Sequence, residues 1–187
     1  MRLPKALLPI LVFAVSHSAW AQGHYGVGKA PTADEIRAVD ISIGPDGKEL
    51  PPGQGSAKEG ADIFARRCAA CHGATGAGGR APALVTHPGS TTMVAGVSMK
   101  PGEVMATHAP YATIIWDYIN RGMPLYQEGS LKPEEVYALV AFLLYKNGVI
   151  QQEDQVLNAQ TLTEVKMPNR NGFTPPDWKA GKPRIFP

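Results

Sequence analysis

Cys68-Ala69-Ala70-Cys71-His72 decides how the rest of the chain reads. A Cys-x-x-Cys-His run is the attachment signature of a c-type haem. Two thiols three positions apart, on the last turn of a helix, can each add to one of the two vinyl groups of a single porphyrin. The next side chain, His72, then lies under the iron as its proximal nitrogen ligand. Other chemistries do not complete their own motifs. A closed zinc site needs four ligands, yet Cys68 and Cys71 are the only cysteines, and His24, His72, His87 and His108 form no pair at zinc-finger spacing. A thioredoxin-like pair wants a βαβ context that the surroundings lack, and a disulfide across so short a loop would cross-link almost nothing. The motif calls for one covalently attached haem c.

Upstream, Ser56-Ala57-Lys58-Glu59 is a capping box that opens a helix running through Ile63 and Phe64 to the cysteines. Gly60 and Phe64 share a face one turn apart, the small-beside-aromatic pattern of a close helix crossing. Downstream, Gly73 to Leu84 is glycine-rich but lacks the Lys-Ser/Thr and preceding strand of a phosphate cradle. It reads as a tight loop that brings backbone close to the porphyrin. Residues 85–110 show no strong periodicity and read as loop. Tyr111, Ile114, Ile115, Tyr118 and Ile119 then repeat at helical spacing, and Gly122 with Met123-Pro124 ends that helix. The next begins near Pro133, with Glu134 and Glu135 at the positive end of its dipole, although Lys132 stands where Ser or Thr would normally cap. Its apolar stripe is Val136, Leu139, Val140, Leu143 and Leu144, and Asn147-Gly148 supplies the stop. Trp116 and Tyr118 read as core residues.

The flanks are extensions rather than domains. Arg2 and Lys5, the apolar run Ala6 to Val15 and the small-x-small Ala19-Trp20-Ala21 predict a signal peptide over residues 1–21. The apolar run is too short to span a bilayer, so no stable membrane insertion is expected, and export to the periplasm suits a haem attached outside the cytoplasm. Removing Arg2 and Lys5 leaves 16 basic residues against 16 acidic ones. This balance gives no reason to expect nucleic acid as a partner. Residues 22–55 form an N-terminal arm rich in Gly and Pro, with a capping box at Thr32 to Glu35, a brief extended segment at Ile41 to Ile43, a turn at Gly44 to Gly47 and a breaker at Pro51 to Gly55. The haem domain is expected over 56–148. A Pro-rich tail over 149–187 is expected to wrap the surface.

The sixth iron position separates electron transfer from catalysis. Its candidates are His24, His87, His108 and the methionines 93, 99, 105, 123 and 167. A thioether stabilises the ferrous state and raises the potential, whereas a second imidazole lowers it. Met123 is favoured: it sits between two helices, on a loop that can fold over the face opposite His72. Met167-Pro168 repeats the dipeptide after the last helix, and His87 and His108 read as solvated loop residues.

Helix, Cys-x-x-Cys-His, glycine loop, helix, Met-Pro loop and C-terminal helix together resemble a class I cytochrome c, an all-α fold. That resemblance implies that Gly60 and Phe64 cross the last helix near Tyr137 and Ala141. It implies that the Pro82 carbonyl accepts a hydrogen bond from the His72 ring, that Leu84 packs on the porphyrin, and that Arg80 either pairs with a propionate or is solvated. A narrower resemblance, to the cytochrome subunit of the Sox sulfur-oxidation system, rests on Tyr25 to Gly28, Asp40-Ile41, Pro45 to Gly47, Leu50 to Gly53, Trp116 to Pro124, Glu135 to Ala138 and Met167 to Phe173. It implies an electron-transfer protein rather than an enzyme in its own right. The implied partners are a molybdenum sulfane dehydrogenase, which Met123 and His72 would serve through the haem, and a downstream cytochrome acceptor. Some members of that family carry two haem domains and this chain has one motif, so a sulfite dehydrogenase partner, or a free-standing acceptor, also fits. A general respiratory carrier and a haem enzyme with an open sixth site are the rival readings.

Overall fold

The structure, a computed structural model, describes residues 28–86, 93–94, 97–98 and 104–173. It is mostly helical. In chain order the elements are α1 (Ala33–Val39), β1 (Gln54–Ser56), α2 (Ala57–Arg67), α3 (Ala69–His72), β2 (Met93–Val94), β3 (Val97–Ser98), α4 (Met105–His108), α5 (Ala112–Gly122), α6 (Pro133–Lys146), β4 (Val156–Asn158) and α7 (Ala159–Glu164).

The crossing of α2 and α6 organises the core. The Ser56 backbone N–H donates to the Glu59 carboxylate at 2.8 Å, and the Glu59 N–H donates back to Ser56 Oγ at 3.4 Å, which starts α2 as its sequence predicts. A Cβ at Gly60 would lie 2.0 Å from the Ala138 carbonyl oxygen, so the two helices meet backbone to backbone. Phe64 stacks obliquely on Phe142 at 5.0 Å between centroids. The crossing thus falls one residue beyond the expected Tyr137 and Ala141. Tyr137 is turned toward the arm instead: its hydroxyl donates to the Pro51 carbonyl at 2.9 Å and its ring leans on Trp116 at 5.6 Å. Lys132 offers no side-chain cap to α6, but Glu135 accepts the Lys132 N–H at 2.8 Å, half of a capping box.

The extensions are knitted into this core. β1 pairs antiparallel with β4, Gly55 opposite Leu157. A Cβ at Gly55 would sit 2.5 Å from the Ala138 nitrogen, so Ala138 is gripped by Gly55 on one side and Gly60 on the other. The breaker at 51–55 therefore contains a strand. The tail, expected to lie on the surface, places Leu157, Leu162 and Met167 in the core. Asn158 Oδ1 starts α7 by accepting the Gln160 and Thr161 N–H groups at 2.9 and 3.0 Å. Further on, Asn169 Nδ2 donates to the His108 carbonyl at 2.6 Å, and the Arg170 guanidinium lies 3.8 Å over the Tyr111 ring.

Within the span read as loop, β2 and β3, two residues each, pair antiparallel and α4 makes one turn, with Val104, Ala106 and Ala109 buried. In the arm, the Thr32–Glu35 box starts α1 as expected, yet no α1 residue is buried, and Ile36, Val39 and Ile41 are exposed. Ile41 to Ile43 is not a strand. Ile43 instead donates its N–H to Asp117 Oδ1 at 2.9 Å, which fastens the arm to α5. No helix among the described residues is long and apolar enough to cross a membrane. Residues 1–27, including the predicted signal peptide and His24, lie outside the described residues, as do His87, Met99 and 174–187.

Candidate haem site

α2 does not run straight into the motif. Cys68, at φ −122°, caps it and starts the single turn α3, in which the Cys71 and His72 N–H groups both donate to the Cys68 carbonyl, at 3.1 and 3.0 Å. That turn places Cys68, Cys71 and His72 along one wall. The glycine loop then folds back tightly. Gly73 has φ +84°, a left-handed conformation that favours glycine, and a Cβ at Gly79 would be 2.1 Å from the Cys71 carbonyl. Ala81 donates its N–H to that carbonyl at 2.9 Å.

This return brings the Pro82 carbonyl to 2.7 Å from His72 Nδ1. A carbonyl can only accept, so Nδ1 carries the proton and Nε2 presents its lone pair. His72 itself is buried. Its free nitrogen is thus in the tautomer an iron requires.

The wall faces a cavity of about 590 Å³, a size usual for small-molecule and cofactor sites. Phe64 from α2, Ile115 and Ile119 from α5 and Leu139 and Leu143 from α6 line it. Pro82 and Leu84 contribute from the glycine loop. Met123, Pro124, Leu125 and Tyr126 contribute from the segment after α5. Tyr118 also lines the cavity and is 38% exposed, so the α5 stripe is split between core and rim. Trp116, by contrast, is a core residue and does not line it.

Of the candidate sixth ligands, Met123 and Met105 line the cavity, each half-buried. Met167 does not; it is 4% exposed in the core. His108 ends α4 half-buried, its ring edge-on to Phe173 at 5.3 Å, and does not line the cavity either; it is no solvated loop residue. Met105 has no stronger sequence signal than the other loose methionines, because α4 is a single turn without periodicity.

Arg80 also lines the cavity, with Nη2 3.3 Å from Cys71 Sγ. Burial pushes the Cys68 thiol up to about 11, so it is protonated at neutral pH. Both cysteines are free. Among the described residues there is no cluster of three or more His, Cys, Asp or Glu side chains that could hold a bare metal ion. Two free thiols, one imidazole with Nε2 unengaged and a thioether opening on a single apolar cavity are a donor set that fits haem c.

The family model described as cytochrome C oxidase, cbb3-type, subunit III, matches residues 55–143. The solved sulfane dehydrogenase SoxCD from Paracoccus pantotrophus is similar to this chain at 33% identity and a TM-score of 0.66, over 82% of this chain and 73% of that one. The chain belongs to the class I c-type cytochromes. Membership implies a covalently bound haem c. The thiosulfate dehydrogenase TsdBA from Marichromatium purpuratum is a more distant likeness, 24% identical with a TM-score of 0.36 over 48% of this cytochrome and 17% of that chain. No curated protein matches the cytochrome significantly. The likeness to SoxCD extends well past residues 55–143, so it takes in parts of the arm and tail as well as the haem domain.

Proposed function

We propose that this is a periplasmic, mono-haem cytochrome that accepts electrons one at a time from a molybdenum-containing sulfane or sulfite dehydrogenase subunit and passes them to a downstream cytochrome. In this reading residues 1–21 are a cleaved leader, 22–55 the arm, 56–148 the haem domain and 149–187 the tail. A haem c bound in the cavity would supply a one-electron ferric/ferrous couple. Cys68 and Cys71 would tether it, and the His72 imidazole, oriented by the Pro82 carbonyl, and the Met123 thioether would hold its iron. An iron held by two side chains would be closed to substrates, and little rearrangement would accompany electron transfer.

The observation that carries this is the convergence of Cys68, Cys71, His72 and Met123 on one apolar cavity, in a chain whose likeness to SoxCD reaches beyond the haem domain. Two exposed apolar groups offer contact surface. Tyr118, Leu125 and Tyr126 rim the cavity, and Ile36, Val39 and Ile41 line the arm. A helix as short as α1, with nothing buried, is marginal on its own in water, which favours a partner that covers it.

The test is reduction of the purified exported protein by sulfite or a sulfane donor, with and without its candidate molybdenum partner. Reduction only in the partner's presence, together with co-purification, supports the proposal. Equal reduction by unrelated carriers favours a second reading, a general respiratory carrier, for which the match to an oxidase-subunit family speaks.

A further inference from the structure

Asn147 caps α6, yet only one of its four side-chain hydrogen bonds serves that helix. Nδ2 donates to the Leu143 carbonyl at 2.8 Å, an ordinary C-terminal cap. The same Nδ2 donates to the Leu84 carbonyl at 3.0 Å. Oδ1 accepts from the Thr86 N–H at 2.9 Å and from the Thr86 hydroxyl at 3.0 Å. Three bonds therefore reach across 61 to 63 positions to the end of the glycine loop.

That end determines where Pro82 sits. Proline has no N–H with which to anchor itself, so its carbonyl is placed by what holds the chain on either side. Before it, Ala81 is bonded to the Cys71 carbonyl at 2.9 Å. After it, the Leu84 and Val85 N–H groups donate to the Gly76 carbonyl at 2.8 and 3.1 Å, and Asn147 clamps Leu84 and Thr86 to α6. The Gly76 bonds are internal to the loop. Asn147 is what ties the loop to a rigid helix.

We propose that Asn147 is a positioning residue for the His72 imidazole: by locking residues 84–86 to α6 it holds the Pro82 carbonyl at the length that polarises the Nδ1–H bond. This rests on His72 being the iron's ligand, as proposed above. A ligating histidine whose other N–H donates strongly is a more basic ligand, and a more basic ligand favours ferric iron. Loosening the clamp lengthens the bond to Pro82 and shifts the couple toward ferrous.

The test compares the mature haem-loaded protein with Asn147→Ala, measuring solvent exchange of the His72 Nδ1 proton by NMR and the midpoint potential. A net hydrogen bond of ordinary strength corresponds to up to about tenfold in an equilibrium, so exchange should quicken by up to about tenfold. The ferric-to-ferrous balance should shift toward ferrous by a few-fold, with about tenfold, or 59 mV for one electron, as the ceiling. Tyr137→Phe is the control, because it removes a different hydrogen bond from the same helix, to Pro51, and should cost stability with both readouts unmoved.

If Asn147→Ala loses stability as the control does but keeps wild-type exchange and potential, the proposal is overturned. Should Asn147→Ala not retain haem, Thr86→Val leaves the helix cap intact and should move both readouts the same way by less. Wild-type values in that variant overturn the proposal equally. A wild-type protein with no covalent haem and no paramagnetically shifted His72 resonance would instead remove the haem reading itself, and this inference with it.

Discussion

Replacing Gly60 by alanine tests whether the α2–α6 crossing is as close as the structure has it. In an isolated helix this change is favourable by up to about 1 kcal/mol, because alanine loses less backbone entropy. Here the new methyl would lie 2.0 Å from the Ala138 carbonyl oxygen, 2.6 Å from its carbon and 2.7 Å from Phe142 Cβ. Two of these are backbone atoms of a buried helix and cannot rotate aside. Restoring ordinary contact at about 3.5 Å requires the helices to part by about 1.5 Å. Overpacking of this kind costs about 1–3 kcal/mol, and the backbone location puts Gly60 at the top of that range. Phe64, Leu139 and Leu143 sit on the same two helices and line the haem cavity, so separation also loosens its walls. The net expectation is a loss of about 2 kcal/mol, or about 4–8 °C in the thermal midpoint for a folded unit of roughly 150 residues that includes the arm and tail. Thermal unfolding of the haem-loaded protein, followed by circular dichroism, measures it. Gly122→Ala is the matched comparison, since nothing lies within 4 Å of a Cβ there; it should leave the midpoint within a few degrees. A Gly60→Ala protein as stable as wild type would refute the close-crossing argument.

Met123→Ala should abolish the near-infrared thioether-to-iron band and lower the potential, while Met105→Ala should leave the band in place; the reverse pattern would assign the ligand to Met105. Ser56→Ala should cost about 1 kcal/mol by removing the α2 cap. It should also change the acid limb of stability. Hydrogen bonds from Ser56 hold the Glu59 carboxyl below its ordinary value of 4.5. A depressed carboxylate stabilises the fold fully above its unfolded value and ceases to as pH falls through the folded one, so the wild type should lose stability more steeply than Ser56→Ala below about pH 4.5, read from urea midpoints. Ile36→Asp with Val39→Asp should release the proposed molybdenum partner in gel filtration at an unchanged thermal midpoint, because no α1 residue is buried; continued co-elution would place the contact elsewhere.

The long elements were legible because their signals are local and redundant. The Ser56–Glu59 box, the Tyr111-to-Ile119 spacing, Pro133 and Asn147-Gly148 each mark an end or a face with side chains a turn apart. What was hidden depends on partners far away in sequence. β1 and β4 are three residues each and form only because they meet across a hundred positions. α4 and α7 are too short for a period to show. Met105 reaches the cavity by tertiary placement alone, whereas Met167, although its Pro168 repeats the Met123-Pro124 dipeptide, is buried elsewhere. The exposed Tyr118 on an otherwise inward stripe has the same cause: the cavity, not the core, faces it.

The arm and tail are mechanically continuous with the haem domain, and this bears on how a bound partner would be held. Asp117 takes the Ile43 N–H from the arm and is paired with Arg121, one turn on, while its neighbours Tyr118 and Ile119 line the cavity. A partner gripping α1 is therefore anchored to the same helix that supplies the cavity's rim. Ala138, fixed between Gly55 and Gly60, joins the β1–β4 strip to α6 a single residue before Leu139, another cavity wall. Tethering of this kind raises the effective concentration of the second contact without adding any affinity at the haem edge. In the proposed complex, electron transfer would then use a small, readily broken contact around Tyr118, Leu125 and Tyr126, while the arm would set the residence of the partner. Weakening the arm should slow turnover through loss of association and leave the first-order transfer step within a formed complex unchanged. Weakening the rim should do the opposite.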